Sequence, residues 1–190
     1  MSATKTDRLC FTGDDAADRL LVEEPFALLI GFALDQQVPL QRAFSAPLEL
    51  KRRIGTLETG AIAAMDPATL EEAFRQKPAL HRFPGAMAKR TQELAALVEE
   101  RYGGDAARLW NDATDAKELE ERLYALPGFG DMKVRTILAV LAKRLGVRPA
   151  GIDDVLPKHM TLGEVDSPAK LAEYQAAKRA HKAELRAGRQ

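Results

Sequence analysis

The chain has 190 residues, of which 28 are lysine or arginine and 28 are aspartate or glutamate, so its formal net charge is zero. This balance argues against binding nucleic acid through bulk electrostatics alone, and the length suits one domain or two closely packed lobes. The single cysteine, Cys10, excludes an intrachain disulfide and an iron–sulfur cluster, which takes about four cysteines. No secretory signal is apparent, and the longest apolar stretch, at 25–34, is far shorter than the ~20 residues that cross a bilayer. We therefore expect a soluble, cytoplasmic protein.

An all-α protein is predicted, because helix-forming residues dominate and apolar residues recur at three- and four-residue spacing. No segment alternates with the period of two that marks a strand. The apolar run that begins at Pro25 predicts a helix buried on most sides, and Asp66 with Pro67 forms the N-cap and first turn of another. In chain order, helices are expected at about 14–21, 25–38, 40–54, 67–76, 86–102, 116–125, 132–145 and 168–186, with a short helical piece between 103 and 115.

A glycine-containing bend, Leu126-Pro127-Gly128-Phe129-Gly130, joins the helices expected at 116–125 and 132–145. Glycine permits a positive φ and lets another backbone approach closely, and Phe129 is expected to anchor the bend in the core. Such a bend leaves amide groups unpaired at a helix N-terminus, which suits a phosphate oxygen. The alternative is an ordinary corner between two helices, stabilised by proline and glycine.

This bend, with Val134 and Ile137 following at core spacing, resembles the helix-hairpin-helix motif of the HhH-GPD superfamily of DNA glycosylases. The segment 25–38 is similar to that superfamily's first barrel helix, which ends in a glutamine-bearing turn. The resemblance extends, more loosely, over roughly 20–155.

The resemblance implies a two-lobed helical bundle of the HhH-GPD type. The chain would form a single unit over 1–190 with two lobes. One is a six-helix-barrel-like lobe at 22–145, which includes the hairpin at 116–145, and the other is a reduced lobe made of 1–21 and 146–190.

It also implies a DNA site. These enzymes flip a damaged or mispaired base into a cleft, and a glutamine at the position of Gln37 enters the gap that the base leaves. The hairpin amides, with Lys133, would clamp a phosphate. The residues expected to contact DNA are Gln36, Gln37, Gly128, Phe129, Gly130, Met132 and Lys133.

A catalytic aspartate is implied at the start of the helix that follows the hairpin. Asp154 is the first candidate and Asp153 the second; the carboxylate would stabilise an oxocarbenium-like sugar and orient or deprotonate water. The alternative for both aspartates is a solvated loop or helix cap. Strand-cleaving members carry a lysine nucleophile where Met132 stands. We therefore interpret Lys133 as a phosphate contact and expect no lyase activity.

These features favour a monofunctional DNA glycosylase that acts on double-stranded DNA in base excision repair and is nucleoid-associated if the source is bacterial. Two alternatives stay open: a non-catalytic module of the same fold that binds bent or damaged duplex, and a helical bundle that binds proteins and never contacts DNA. The resemblance allows a structural K⁺ or Na⁺ at the carbonyls near Leu126 and Gly128, and no other cofactor or side-chain metal site is expected. The base that would be removed is not identified by the sequence.

Overall fold

A computed structural model describes residues 6–187 of the chain. Within this range the protein forms eleven α-helices and one 3-10 turn, and the only β-type pairing is an isolated bridge between Asp115 and Ala150. The helices are α1 (Asp15–Glu23), α2 (Pro25–Leu34), α3 (Leu40–Ile54), α4 (Thr59–Ala64), α5 (Pro67–Arg75), α6 (Pro84–Tyr102), α7 (Arg108–Asn111), α8 (Ala116–Tyr124), α9 (Asp131–Arg144), α10 (Ile152–Val155) and α11 (Pro168–Ala187); the 3-10 turn is Leu162–Glu164. The all-α prediction is confirmed. The ends of the predicted unit, 1–5 and 188–190, lie outside the described residues.

The observed helix starts agree with the predicted ones where a side chain caps the first turn. The carboxylate of Asp14 accepts hydrogen bonds from the amides of Ala16 (2.9 Å) and Ala17 (3.4 Å), and that of Asp66 accepts one from the amide of Thr69 (2.9 Å). These contacts pair amides that a helix start otherwise leaves free. Helix α4 has no counterpart among the predicted helices, because it spans only six residues and has no side-chain cap.

Helix α2 lies at the centre of the core, as its apolar sequence predicts. All of its residues after Pro25 are buried. The ring of Phe32 meets Phe44 of α3 edge to face, with 5.0 Å between the ring centroids. Gly31 permits this close approach, since a Cβ on Gly31 would lie 2.5 Å from Cδ1 of Phe44.

Helix α2 ends at Leu34, earlier than the expected end at 38. Asp35 leaves the helical conformation, and the amide of Gln36 donates to the carbonyl of Leu34 at 2.7 Å. Gln37 then takes a left-handed conformation with φ 56°. The two glutamines therefore occupy a tight turn, which is the arrangement implied by the resemblance for this segment.

Helix α9 is a second buried helix, with residues 137–142 enclosed on all sides. The 3-10 turn packs directly against it: a Cβ on Gly163 would lie 2.7 Å from the carbonyl oxygen of Ala139. One apolar cluster runs from Leu9 to Leu171 through both of the predicted lobes, and the division into lobes stays a prediction. No helix within the described residues is both long and apolar enough to cross a membrane.

Candidate nucleic-acid interface

The predicted hairpin is present between α8 and α9, and its glycines face solvent. Leu126 and Phe129 are 3% and 6% exposed, and the amide of Phe129 donates to the carbonyl of Leu126 at 3.2 Å. Gly128 has φ 79° and is exposed, as is Gly130. The bend is thus anchored by its apolar residues and open at its glycines, as the sequence predicts.

The start of α9 offers unpaired amides. Gly130 occupies the N-cap position and has no side chain to cap the helix. The amides of Gly130, Asp131, Met132 and Lys133 donate to no group within residues 6–187. Together with the positive end of the helix dipole, these donors provide the surroundings that an anion prefers.

The carboxylate of Asp131, on the first turn of α9, is paired with two side chains and bonds to none of these amides. The hydroxyl of Tyr124 donates to it at 2.7 Å, and Nε of Arg135 donates at 3.0 Å. These two bonds hold the pKa of Asp131 below its usual value. A negative charge at this position is therefore compatible with an approaching phosphate.

Arg90 of α6 adds a positive charge at the bend. A Cβ on Gly128 would lie 2.7 Å from Cδ and from Nε of Arg90, so the arginine side chain rests directly on the glycine. Only a residue without a side chain at position 128 leaves room for this contact. The resemblance described above includes Arg90 in a loosely similar segment but does not identify it as a site residue.

A cleft of about 360 Å³ opens beside the hairpin. This volume lies within the roughly 300–1,000 Å³ of typical small-molecule sites. We call it the hairpin cleft; it is lined by Phe32, Asp35, Gly128, Gly130, Asp131, Met132, Lys133, Thr136, Tyr174 and Lys178. The C-terminal end of α2, the N-terminal end of α9 and the exposed helix α11 thus meet around one space.

Lys133 points into this cleft. Its Nζ donates to the carbonyl of Ala33 at 3.1 Å, near the free end of α2, and lies 5.9 Å from the centroid of the Phe129 ring. Burial, aided by the nearby charge of Arg90 and opposed by that of Asp35, lowers the pKa of Lys133 to about 8. A fraction of this amine is therefore neutral at mildly alkaline pH.

Asp35 is the half-buried carboxylate of the cleft. It follows the last residue of α2, and its side chain makes no hydrogen bond or ion pair within the described part of the chain. Burial raises the pKa of Asp35, and the positive charges of Lys178 and Lys133 oppose that effect. The sequence signal for Asp35 is a single acidic residue that ends a wholly apolar helix, and it was missed because such residues commonly terminate helices.

Gln37 is exposed, and its turn is held in place by a buried histidine. His81, 1% exposed, donates from Nε2 to the carbonyl of Gln36 at 2.9 Å and accepts at Nδ1 from the amide of Phe83 at 3.1 Å. Burial lowers the pKa of His81, which favours this neutral form. The side chain of Gln36 donates from Nε2 to the sulfur of Met87 at 3.6 Å. Gln36 is therefore occupied by internal contacts, and Gln37 is free to meet a ligand.

The aspartates predicted to be catalytic do not lie in the hairpin cleft. Asp153 and Asp154 are exposed on the four-residue helix α10, and Asp153 pairs with Arg148 at 2.6 Å. The segment before α10 is tied to the first residue of α8, where the amide of Ala116 donates to the carbonyl of Ala150 at 2.8 Å. The bend lies at the other end of α8, about 13 Å away along nine residues. Asp153 and Asp154 thus lie away from the hairpin glycines, and their catalytic role stays a prediction.

Of the remaining predicted residues, Met132 is accessible and Leu126 is buried. Met132 is 76% exposed beside the bend. The carbonyl of Leu126 accepts the amide of Phe129, and a monovalent cation at the carbonyls of Leu126 and Gly128 stays a prediction. No group of side chains suited to a metal ion occurs within residues 6–187.

Comparison of the chain with models of known protein families, with curated proteins and with solved structures found no match.

Proposed function

We propose that this chain binds double-stranded DNA and hydrolyses the N-glycosidic bond of a damaged or mispaired base, as a monofunctional glycosylase of base excision repair. The observation that carries the proposal is the exposed glycine bend with unpaired amides, placed beside a charged cleft of about 360 Å³. The amides suit a phosphate, and the volume suits a flipped nucleotide base.

Each part of the interface has a role in this proposal. The bend binds the backbone next to the target nucleotide, with Arg90 lying against Gly128. Gln37, exposed and left-handed, enters the gap in the duplex. A left-handed conformation costs free energy for a residue other than glycine, and such strain concentrates at functional sites.

The proposed reaction is hydrolysis without strand cleavage. Met132 stands where strand-cleaving members of the superfamily carry a lysine nucleophile, and the amine of Lys133 is bonded to a backbone carbonyl. Borohydride reduction of the protein with abasic duplex is expected to leave no covalent adduct. An adduct that disappears in Lys133→Met would contradict this part of the proposal.

DNA binding is tested with matched arginine variants of α6. Arg90→Gln is expected to weaken duplex binding and to reduce the slope of log K against log salt by about 0.9 for each phosphate that the variant no longer neutralises. Arg101→Gln removes one charge from the exposed far end of the same helix and serves as the control. Equal affinities for the two variants would place the DNA elsewhere on the protein.

Catalysis is tested with duplexes that carry alkylated, deaminated, oxidised or mismatched bases, each mixed with a stoichiometric amount of protein. Release of free base from one of them, measured by mass spectrometry, is the expected result. Absence of release from the whole panel would contradict the glycosylase proposal.

A non-catalytic module that binds bent or damaged duplex is the second candidate. The observation that favours it is the position of Asp153 and Asp154 at the far end of α8, outside the hairpin cleft. Tight binding to damaged duplex in which Arg90 is required, without base release, would support this candidate instead.

A further inference from the structure

Asp35 occupies a position that stability does not explain. Its carboxylate sits at the C-terminal end of α2, where the helix dipole is negative and a carboxylate is unfavourable. It makes no hydrogen bond or ion pair with any described residue, although it is half-buried. Burying a charge without direct partners costs free energy, so a structural role would require compensation that the contacts do not provide.

Two lysines face Asp35 without pairing with it. Lys133 approaches from α9 and Lys178 from α11, and their charges favour the ionised carboxylate, which burial opposes. Neither amine lies within ion-pair distance of it. Tyr174 of α11 completes this side of the hairpin cleft. The carboxylate therefore remains available to a molecule that enters the cleft.

We propose that Asp35 is the catalytic carboxylate of the hairpin cleft, facing the sugar of the extruded nucleotide in the role expected for Asp154 or Asp153. This inference rests on the proposed glycosylase function. The bond between C1′ and the base breaks with its electron pair remaining on the base nitrogen, and Asp35 stabilises the positive charge that develops on the sugar. A water oxygen then bonds to C1′, its proton passes to the Asp35 carboxylate, and the base nitrogen takes a proton from solvent.

Two reasons favour Asp35 over the aspartates of α10. It lies in the same cleft as the hairpin glycines, whereas Asp153 is exposed and paired with Arg148. It also lies in a partly water-excluded space, where a fixed charge acts more strongly on a developing charge than it does in open solvent.

The test uses duplexes in which one nucleotide carries a pyrrolidine ring, whose nitrogen is positively charged, or the neutral tetrahydrofuran ring. Because a catalytic site binds a mimic of its transition state more tightly, the wild-type protein is expected to prefer the charged ring by roughly tenfold or more. Asp35→Asn is expected to lose this preference while it still binds the neutral duplex. With an identified substrate, single-turnover base release should fall by about 10²–10³-fold.

Two further variants make the test specific. Asp112→Asn removes a surface carboxylate that pairs with Arg108 and controls for the loss of one negative charge. The double variant Asp153→Asn/Asp154→Asn tests the rival assignment. Loss of the preference in the double variant, with retention in Asp35→Asn, overturns the role of Asp35.

The outcomes separate this inference from the proposed function. If the wild-type protein releases base and Asp35→Asn does so at the same rate, the role of Asp35 is refuted and the glycosylase proposal survives. If the wild-type protein neither releases base nor prefers the charged ring, both are refuted. Asp35→Asn replaces a half-buried charge with a neutral group of the same shape, and circular dichroism verifies its fold.

Discussion

Replacing Lys133 with methionine should remove a rise in the free energy of unfolding with pH that the burial of this amine causes. Burial lowers the pKa of Lys133 from 10.5 to about 8, and at about 1.4 kcal/mol per pH unit this corresponds to roughly 3 kcal/mol. Because the side chain is only half-buried, solvent screens part of the effect. We therefore expect the pKa shift of Lys133 to change the free energy of unfolding by about 1–2 kcal/mol.

The sign follows from proton binding. Below pH 8, Lys133 is charged in both the folded and the unfolded protein, and the folded protein carries the full cost of burial. Between pH 8 and 10.5 the unfolded chain binds a proton that the folded protein has released, so the free energy of unfolding rises with pH through this group. Lys133→Met lacks this contribution. The free energy of unfolding of Lys133→Met, taken relative to that of the wild type, should therefore fall by about 1–2 kcal/mol between pH 7 and pH 10.

The measurement is denaturant unfolding of both proteins at several pH values, with the difference between their free energies as the readout. Other titrating groups are common to both proteins and cancel in the difference. The variant also lacks the hydrogen bond to Ala33, at a cost of about 1 kcal/mol that shifts the difference by a constant. Lys89→Met, which removes an exposed charge from α6, is the control. A difference between the wild type and Lys133→Met that stays constant over this pH range would refute the reasoning.

Three glycine-related predictions follow from the backbone. Gly128→Ala should lower the free energy of unfolding by about 1–2 kcal/mol, because φ is 79° at this position. Gly130→Ala has open space around its new Cβ, so its free energy of unfolding should lie within about 0.5 kcal/mol of the wild-type value. Equal losses for the two variants in thermal unfolding would contradict the assigned backbone. Gln37→Gly should keep or raise the melting temperature, since glycine relieves the left-handed conformation, and should bind duplex more weakly; unchanged affinity would remove Gln37 from the interface. Gly163→Ala should destabilise by about 1–3 kcal/mol, because the new Cβ would meet the backbone of Ala139 at 2.7 Å, and a chemical denaturation midpoint equal to that of the wild type would exclude this close packing.

Local signals in the sequence were sufficient for most of the fold. Helix starts follow from capping residues such as Asp14 and Asp66, and the burial of α2 follows from its unbroken apolar run. The hairpin follows from the spacing of its proline and glycines. Helix α4 lacks a cap and is short, so its helical state depends on packing against α6, which no local signal reports.

The candidate site was only partly predictable, for a similar reason. The bend and Gln37 belong to continuous motifs, so each could be identified within its own segment. The hairpin cleft instead joins α2, α9 and α11, and the residues Asp35 and Tyr174 that meet there are separated by most of the chain. The loop before α10 is bonded to the end of α8 opposite the bend, so Asp154 lies outside the hairpin cleft, and its catalytic role stays a prediction.

Helix α11 supplies one wall of the hairpin cleft, yet between 168 and 181 only Leu171 is buried. Leu171 is buried and Tyr174 is half-buried, while 176–181 is exposed. A small change in the angle at which this helix leaves Leu171 would widen or narrow the cleft, and the central helices α2 and α9 would keep their packing. Exchange of exposed residues along this helix thus offers a route by which selection, or a protein engineer, could change the width of the hairpin cleft without rebuilding the interior.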